Sequence, residues 1–272
     1  MNKIKTRCPA KINLYLKVLN KRVDGYHNLE TSFQLIDLAD DISFEVCDKD
    51  ISIASNKDFL CNTENTVFKS AQKIKSLFKV NDGVKIHINK KIPIGAGLGG
   101  GSSNAASTIV ALNSLWKLNL GIADLINIGK EIGADVPFFI YGKNSLAKGI
   151  GEKLKDTDSI KDNNILLIKP NIQNSTKKMF DELDLHREND NFKTSSSQND
   201  FWDIFLSKNN TVKKFYNENN KEYDLNLTGT GSCIYVTYDE KKELNKILKK
   251  IPSNWRLFFC KPLQYSPICY IR

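Results

Sequence analysis

Residues 90–116 read KKIPIGAGLGGGSSNAASTIVALNSLW. Gly95, Gly97, Gly99, Gly100 and Gly101 fall in one short run, and Ser102 and Ser103 follow. The stretch predicts a strand, a glycine-rich loop and a helix of small residues opening near Ser103 or Asn104. Glycine admits positive φ and lets a ligand approach the backbone closely. A helix N-terminus offers free N–H groups and the positive end of its dipole. Loop and helix together make an anion site suited to a polyphosphate. Gly95, Gly97 and Gly100 satisfy G-x-G-x-x-G, but a dinucleotide fold wants that loop in an early βαβ unit with an acidic residue about 20 positions on. Here a β-rich start precedes the loop, and Asp124 falls inside an expected helix. A Walker A loop needs a lysine where Gly101 stands. A flexible linker fits poorly between a strand and a Ser/Ala-rich helix.

Outward from the loop, strand and helix patterns mix on both sides. Upstream, Ile12, Leu14, Leu16 and Val18 alternate as a strand, as do 42–46, 51–54 and 84–88. Val67, Ala71, Ile74 and Phe78 follow helical spacing over 65–79. His87 falls on the polar face of its strand and reads as a solvated residue. Downstream, a helix over 122–132 ends before Gly133, and FFIY (138–141) reads as an apolar strand. Residues 186–200 read as a surface loop, followed by helices to about 218. Strands are expected at 225–228, 233–238 and 256–261, with a Lys-rich helix over 239–250. The class is α+β.

Composition narrows the function. The 272 residues carry 40 Lys plus Arg against 31 Asp plus Glu, a net +9, and most of the excess falls in residues 1–155. A basic surface suits nucleic acid or phosphorylated small molecules. No long basic run or Arg/aromatic platform supports nucleic acid. No stretch nears the ~18 apolar residues of a membrane span, and no signal peptide is visible. The six cysteines form no C-x-x-C pair, so reduced thiols in a cytoplasmic protein are expected. The three histidines form no zinc pattern.

Four further segments carry chemistry. Lys11 immediately precedes or begins a strand, and reads either as a surface lysine or as a functional cation. Asp135, in Gly133-Ala134-Asp135-Val136-Pro137, is either a turn-former or a buried functional carboxylate. Asp24-Gly25-Tyr26-His27 is either a β-turn with incidental aromatics or a flat-ring binder. Thr228-Gly229-Thr230-Gly231-Ser232 is either a tight connection or a second phosphate-closing loop.

Taken together, these segments resemble one family. PIGAGLGGGSSNAA resembles the phosphate loop of the GHMP kinases. PAKINLYL, GADVPFF and LTGTGS resemble that superfamily's other blocks, in order. RVDGYHNLET resembles the branch that phosphorylates a methylerythritol linked to cytidine diphosphate, in non-mevalonate isoprenoid biosynthesis. The resemblance implies an N-terminal domain (1–158) like the second domain of ribosomal protein S5, which binds ATP. It implies a ferredoxin-like C-terminal domain (159–272), with the active site in the cleft between them. It implies ATP-dependent phosphorylation of the substrate's 2-hydroxyl, with ATP as donor and Mg²⁺ bound mainly through ATP.

Lys11 and Asp135 match the catalytic pair. Pro93, Ile94, Gly95, Ala96, Gly97, Leu98, Gly99, Gly100, Gly101, Ser102 and Ser103 match the ATP loop, and Asn65 and Lys90 match positions near the adenosine. Asn13, Tyr26, His27, Thr176 and Phe180 match the substrate side, Phe180 stacking on the second face of the cytosine. The expected partner is that small molecule, with no nucleic acid or membrane, and the expected state a monomer or weak homodimer. The alternatives are another GHMP kinase, of mevalonate or homoserine type, and a non-catalytic nucleotide or RNA binder.

Overall fold

The computed structural model describes residues 2–158, 160, 163–188 and 198–271. Its first half is built on a long hairpin, β1 (Lys3–Lys21) and β2 (His27–Cys47). β1 lines one edge of β2 throughout. The other edge of β2 is shared. β4 (Gly83–Asn89) takes Asp41–Cys47, and β5 (Ser145–Gly149) takes Leu29–Phe33. Leu35 and Ile36, between them, pair with β11 (Pro262–Leu263). β3 (Ile51–Ser55) and β6 (Lys153–Asp156) complete a seven-stranded sheet.

Helices α1 (Thr66–Leu77), α2 (Gly100–Leu115), α3 (Ile122–Ile132) and α4 (Val136–Tyr141) cover one face of this sheet. α2 is buried along most of its length, because its Ala and Ser residues let neighbours approach closely. β7 (Asn164–Lys169), α5 (Thr176–Glu188), α6 (Trp202–Lys208), α7 (Asn210–Asn219), β8 (Asn226–Leu227), β9 (Ile234–Tyr238), α8 (Asn245–Lys250) and β10 (Arg256–Cys260) form the second half. Its antiparallel sheet runs β10-β7-β9-β8, with helices in the first and third connections. That is the ferredoxin-like arrangement.

A third apolar cluster forms the seam between the halves. Ala10 and Ile12 of β1 and Ile92, Ala96 and Leu98 meet Ile165, Leu167, Cys233 and Tyr235 there. Successive strand side chains point to opposite faces. With Ala10 and Ile12 in the seam, Lys11 is buried on the other face, its ammonium 5.3 Å from the Phe33 ring centroid.

Several sequence expectations are corrected here. FFIY is helical, within α4. Asp135 stands at its N-cap, Pro137 lies in its first turn, and Gly142 ends it at φ +76°. Phe138, Phe139 and Ile140 are all fully buried, so the run carries no period that separates helix from strand. Lys11 lies in the middle of β1 rather than at its start. The expected surface loop at 186–200 is helix through Glu188. At its far end Asn199 and Asp200 are buried, Asn199 donating to the carbonyls of Leu227 and Gly229. Residues 189–197 of that loop lie outside the described residues. The expected helix at 239–250 is a 3-10 turn, Lys241–Leu244, followed by α8. The chain also crosses the expected 158/159 division twice. Leu16 and Val18 of β1 enter the second core, and Ile268 enters the first.

Candidate active site

The glycine loop alternates two kinds of residue for a physical reason. Gly95, Gly97 and Gly99 take positive φ, while Ala96 and Leu98 between them are buried in the seam. A Cβ on Gly97 would sit 2.2 Å from the Thr228 carbonyl oxygen, so the two glycine-rich loops touch backbone to backbone. The Thr228 hydroxyl lies 3.3 Å from the Gly97 carbonyl and 3.1 Å from the Asn13 N–H. Gly99 is the N-cap of α2, with no side-chain cap, so the first amides of that helix open toward the loop. Ser103 Oγ, in the same turn, is buried without a hydrogen-bond partner.

The Lys11 N–H donates to the Leu98 carbonyl at 3.1 Å and so registers β1 against this loop. Its Nζ donates to Asn13 Oδ1 at 2.6 Å and stands 3.8 Å from Asp135 Oδ2. Asn13 Nδ2 in turn donates to Thr31 Oγ1 at 2.8 Å. Burial pushes the Lys11 ammonium below its ordinary 10.5, while Asp135 works against that shift. Lys11 is buried, whereas the Asp135 side chain keeps 33% of its exposure and opens to the cleft.

At the other end, His27 stacks on Phe180 of α5, with centroids 4.8 Å apart and planes at 25°. His27 Nε2 lies 2.7 Å from Asp184 Oδ1, and Lys21 Nζ lies 2.7 Å from Asp184 Oδ2. Tyr26, on the hairpin turn, is exposed. Thr176 Oγ1 is 3.3 Å from Thr230 Oγ1, joining α5 to the second glycine loop.

All of these groups line one cleft of about 840 Å³. It brings together Lys11, Asn13, Tyr26, His27, Asn65, Lys90, Asp135, Thr176, Phe180 and the loop from Pro93 to Ser102. Ser103 stands just behind that wall. Two more members are engaged with the protein itself. Asn65 caps α1, its Oδ1 accepting from Val67 N–H at 2.9 Å. Lys90 pairs with buried Asp40, whose Oδ1 accepts from the N–H groups of Lys91 and Ile92 at 2.7 and 2.8 Å.

Sequence reasoning missed Thr31, Asp40 and Asp184. Asp184 had a signal: it follows Phe180 by four residues, which on a helix puts both on one face. The others sit opposite their partners only through strand register or loop contact, which spacing does not show.

Comparison with known proteins adds to this geometry. The model of the GHMP kinases N terminal domain matches residues 65–143. A crystal structure of 4-(cytidine 5′-diphospho)-2C-methyl-D-erythritol kinase superposes with TM-score 0.77, covering 95% of this chain and 99% of that one at 24% identity. Homoserine kinase from Cytophaga hutchinsonii superposes with TM-score 0.68 over 97% and 96% of the two chains, at 16% identity. These likenesses give the GHMP kinase fold.

Sequence similarity goes further. The 4-diphosphocytidyl-2-C-methyl-D-erythritol kinase of Francisella tularensis subsp. holarctica is 40% identical, over 94% of this chain and 95% of that protein. The enzyme of the same name from Colwellia psychrerythraea is 36% identical, over 97% and 91%. With that identity sustained across both halves and the cleft between them, the chain belongs to the 4-diphosphocytidyl-2-C-methyl-D-erythritol kinase family of GHMP kinases.

Proposed function

We propose that this chain transfers the γ-phosphoryl group of ATP to the 2-hydroxyl of 4-diphosphocytidyl-2-C-methyl-D-erythritol, in the cytoplasm, as a step of non-mevalonate isoprenoid biosynthesis. One observation carries the reading. Lys11 and Asp135 stand in a single cleft that has an amide-rich glycine loop and a pair of stacked rings, His27 and Phe180, among its walls. A polyphosphate fits the first and a planar base the second, which leaves the acceptor alcohol beside the ion pair.

In this reading the amides of Gly97 to Ser102, which line the cleft, hold the phosphates, while the Ser103 N–H is already bonded to the Gly99 carbonyl. Asp135 accepts the proton as the hydroxyl oxygen attacks phosphorus and the bond to ADP breaks. Lys11, fixed by Asn13, orients the carboxylate and offsets the charge gathering on the transferred group. Most of the acceleration comes from positioning and fixed charge. Among the described residues no three His, Cys, Asp or Glu side chains gather into a cation site. In this reading Mg²⁺ would be held mainly by ATP oxygens and water. Bound there, Mg²⁺ neutralises phosphate charge.

Residues 1–158 carry the ATP loop, and α5 from the second half closes the cytidine end. Among the described residues no helix is long and apolar enough to cross a membrane. The deciding experiment is ADP release from Mg²⁺-ATP with the cytidyl substrate, mevalonate or homoserine as acceptor. Turnover with the cytidyl substrate alone is expected. Turnover with another alcohol would keep the Lys11–Asp135 chemistry and reject the base site.

A further inference from the structure

One carboxylate lining the cleft has no part in that chemistry. Asp184 of α5 receives the His27 ring on Oδ1 and the Lys21 ammonium on Oδ2, each at 2.7 Å. Lys21 and His27 are cross-strand partners at the end of the β1–β2 hairpin, so one carboxylate clasps both strands of the hairpin to α5. The ring is held on a second side by Phe180, one helical turn before Asp184. The charged groups around the clasp are few. Lys21 comes from β1, and Asp181 and Glu188 of α5 act on it electrostatically. Although burial raises the Asp184 carboxyl, hydrogen bonds from Lys21 and His27 outweigh it and hold the carboxyl below its usual range.

An ionised carboxylate only accepts hydrogen bonds, so the proton of the ring sits on Nε2. In the neutral imidazole, Nδ1 is then an acceptor. Cytosine carries an amino donor at C4, where uracil carries a carbonyl acceptor. The geometry points to Asp184 as the positioning residue that holds His27 in its Nε2–H tautomer and thereby makes the cleft prefer cytosine to uracil. This inference rests on the cytidine reading above. Asp184 itself acts through His27.

Two measurements test it. The first is the ¹H–¹⁵N imidazole spectrum of the ligand-free protein, which reports the tautomer directly. The second is calorimetric binding of CDP and of UDP. The wild-type protein should show the Nε2–H form and bind CDP more tightly than UDP. Asp184→Asn, of nearly the same size, should lose the single tautomer and narrow the CDP/UDP ratio about tenfold, with ATP affinity unaltered. Lys21→Met, which cuts the clasp and spares the ring contact, should weaken both nucleotides alike and keep the ratio.

An unchanged tautomer or an unchanged ratio in Asp184→Asn overturns the assignment. So does a narrowed ratio in Lys21→Met, which would trace selectivity to the clasp rather than to the ring. Equal binding of CDP and UDP by the wild-type protein overturns the selectivity itself. Binding of neither would sink the cytidine reading as well, and the imidazole spectrum would still report whether Asp184 holds His27.

Discussion

Lys11 and Asp135 divide one task by environment. The lysine is buried and turned against Asn13, while the carboxylate is a third exposed and faces the cleft. Asp135→Asn keeps the shape and removes the base, so kcat should fall by about 10²-fold or more; an unchanged kcat would rule out the role. Burial of Lys11 has two opposite consequences with pH. The folded protein releases this proton below 10.5, where the unfolded chain still holds it. Between those two values the unfolded state binds more protons, so this group makes the fold more stable as pH rises. Under the proposed mechanism activity goes the other way, because there the ammonium is the working form. The kcat profile should turn down on the alkaline side before pH 10.5, and a profile flat to that pH would reject a charged Lys11.

The element that decides binding is the turn from glycine loop into α2, where neighbouring glycines serve different purposes. A Cβ on Gly100 would meet Lys90 Nζ at 2.7 Å and Ile92 Cγ2 at 2.9 Å, both parts of the protein. On Gly101 it meets nothing closer than Thr66 Oγ1 at 3.7 Å, and that residue is exposed to the cleft. Gly100→Val should therefore destabilise the fold by about 1–3 kcal/mol through overpacking, read as a lowered urea midpoint. Gly101→Val should leave the midpoint in place and weaken ATP binding; intact ATP affinity would remove the amide cradle from this turn.

Much of this element was legible in the sequence. Clustered glycines before a Ser/Ala run predict a loop entering a helix, amphipathic spacing marked α1, and Gly133 marked the end of α3. FFIY was not legible, because three successive buried residues, Phe138 to Ile140, show no period, and Pro137 and Gly142 bound it as a helix only in context. The site was legible where a motif is continuous. It was illegible where the paired strands bring the Thr31 hydroxyl to the Asn13 side chain.

Taken whole, the molecule is two sheets stitched through one strand hairpin and one returning tail. Residues 262–271 leave the second sheet, pair with Leu35 and Ile36, and bury Ile268 in the first core. Gln34 and Asn144 both donate to the Leu263 carbonyl, at 3.0 and 2.9 Å. Ile268→Ala should cost about 2–5 kcal/mol, measured by urea unfolding. Loss of the first-half transition together with the second would show that the halves unfold as one. A first-half transition that shifted alone, with the second half unmoved, would contradict the stitching.

The tail also sets an order of assembly during synthesis. A ribosome delivers the hairpin first and its last partner strand only after the entire second sheet. Until then Leu35 is held by the Asn144 and Gln34 side chains, but the Asp37 N–H lacks the Lys261 carbonyl it donates to, and the uncovered stretch of edge invites pairing with another chain. The first half of this protein, though encoded first, is completed last.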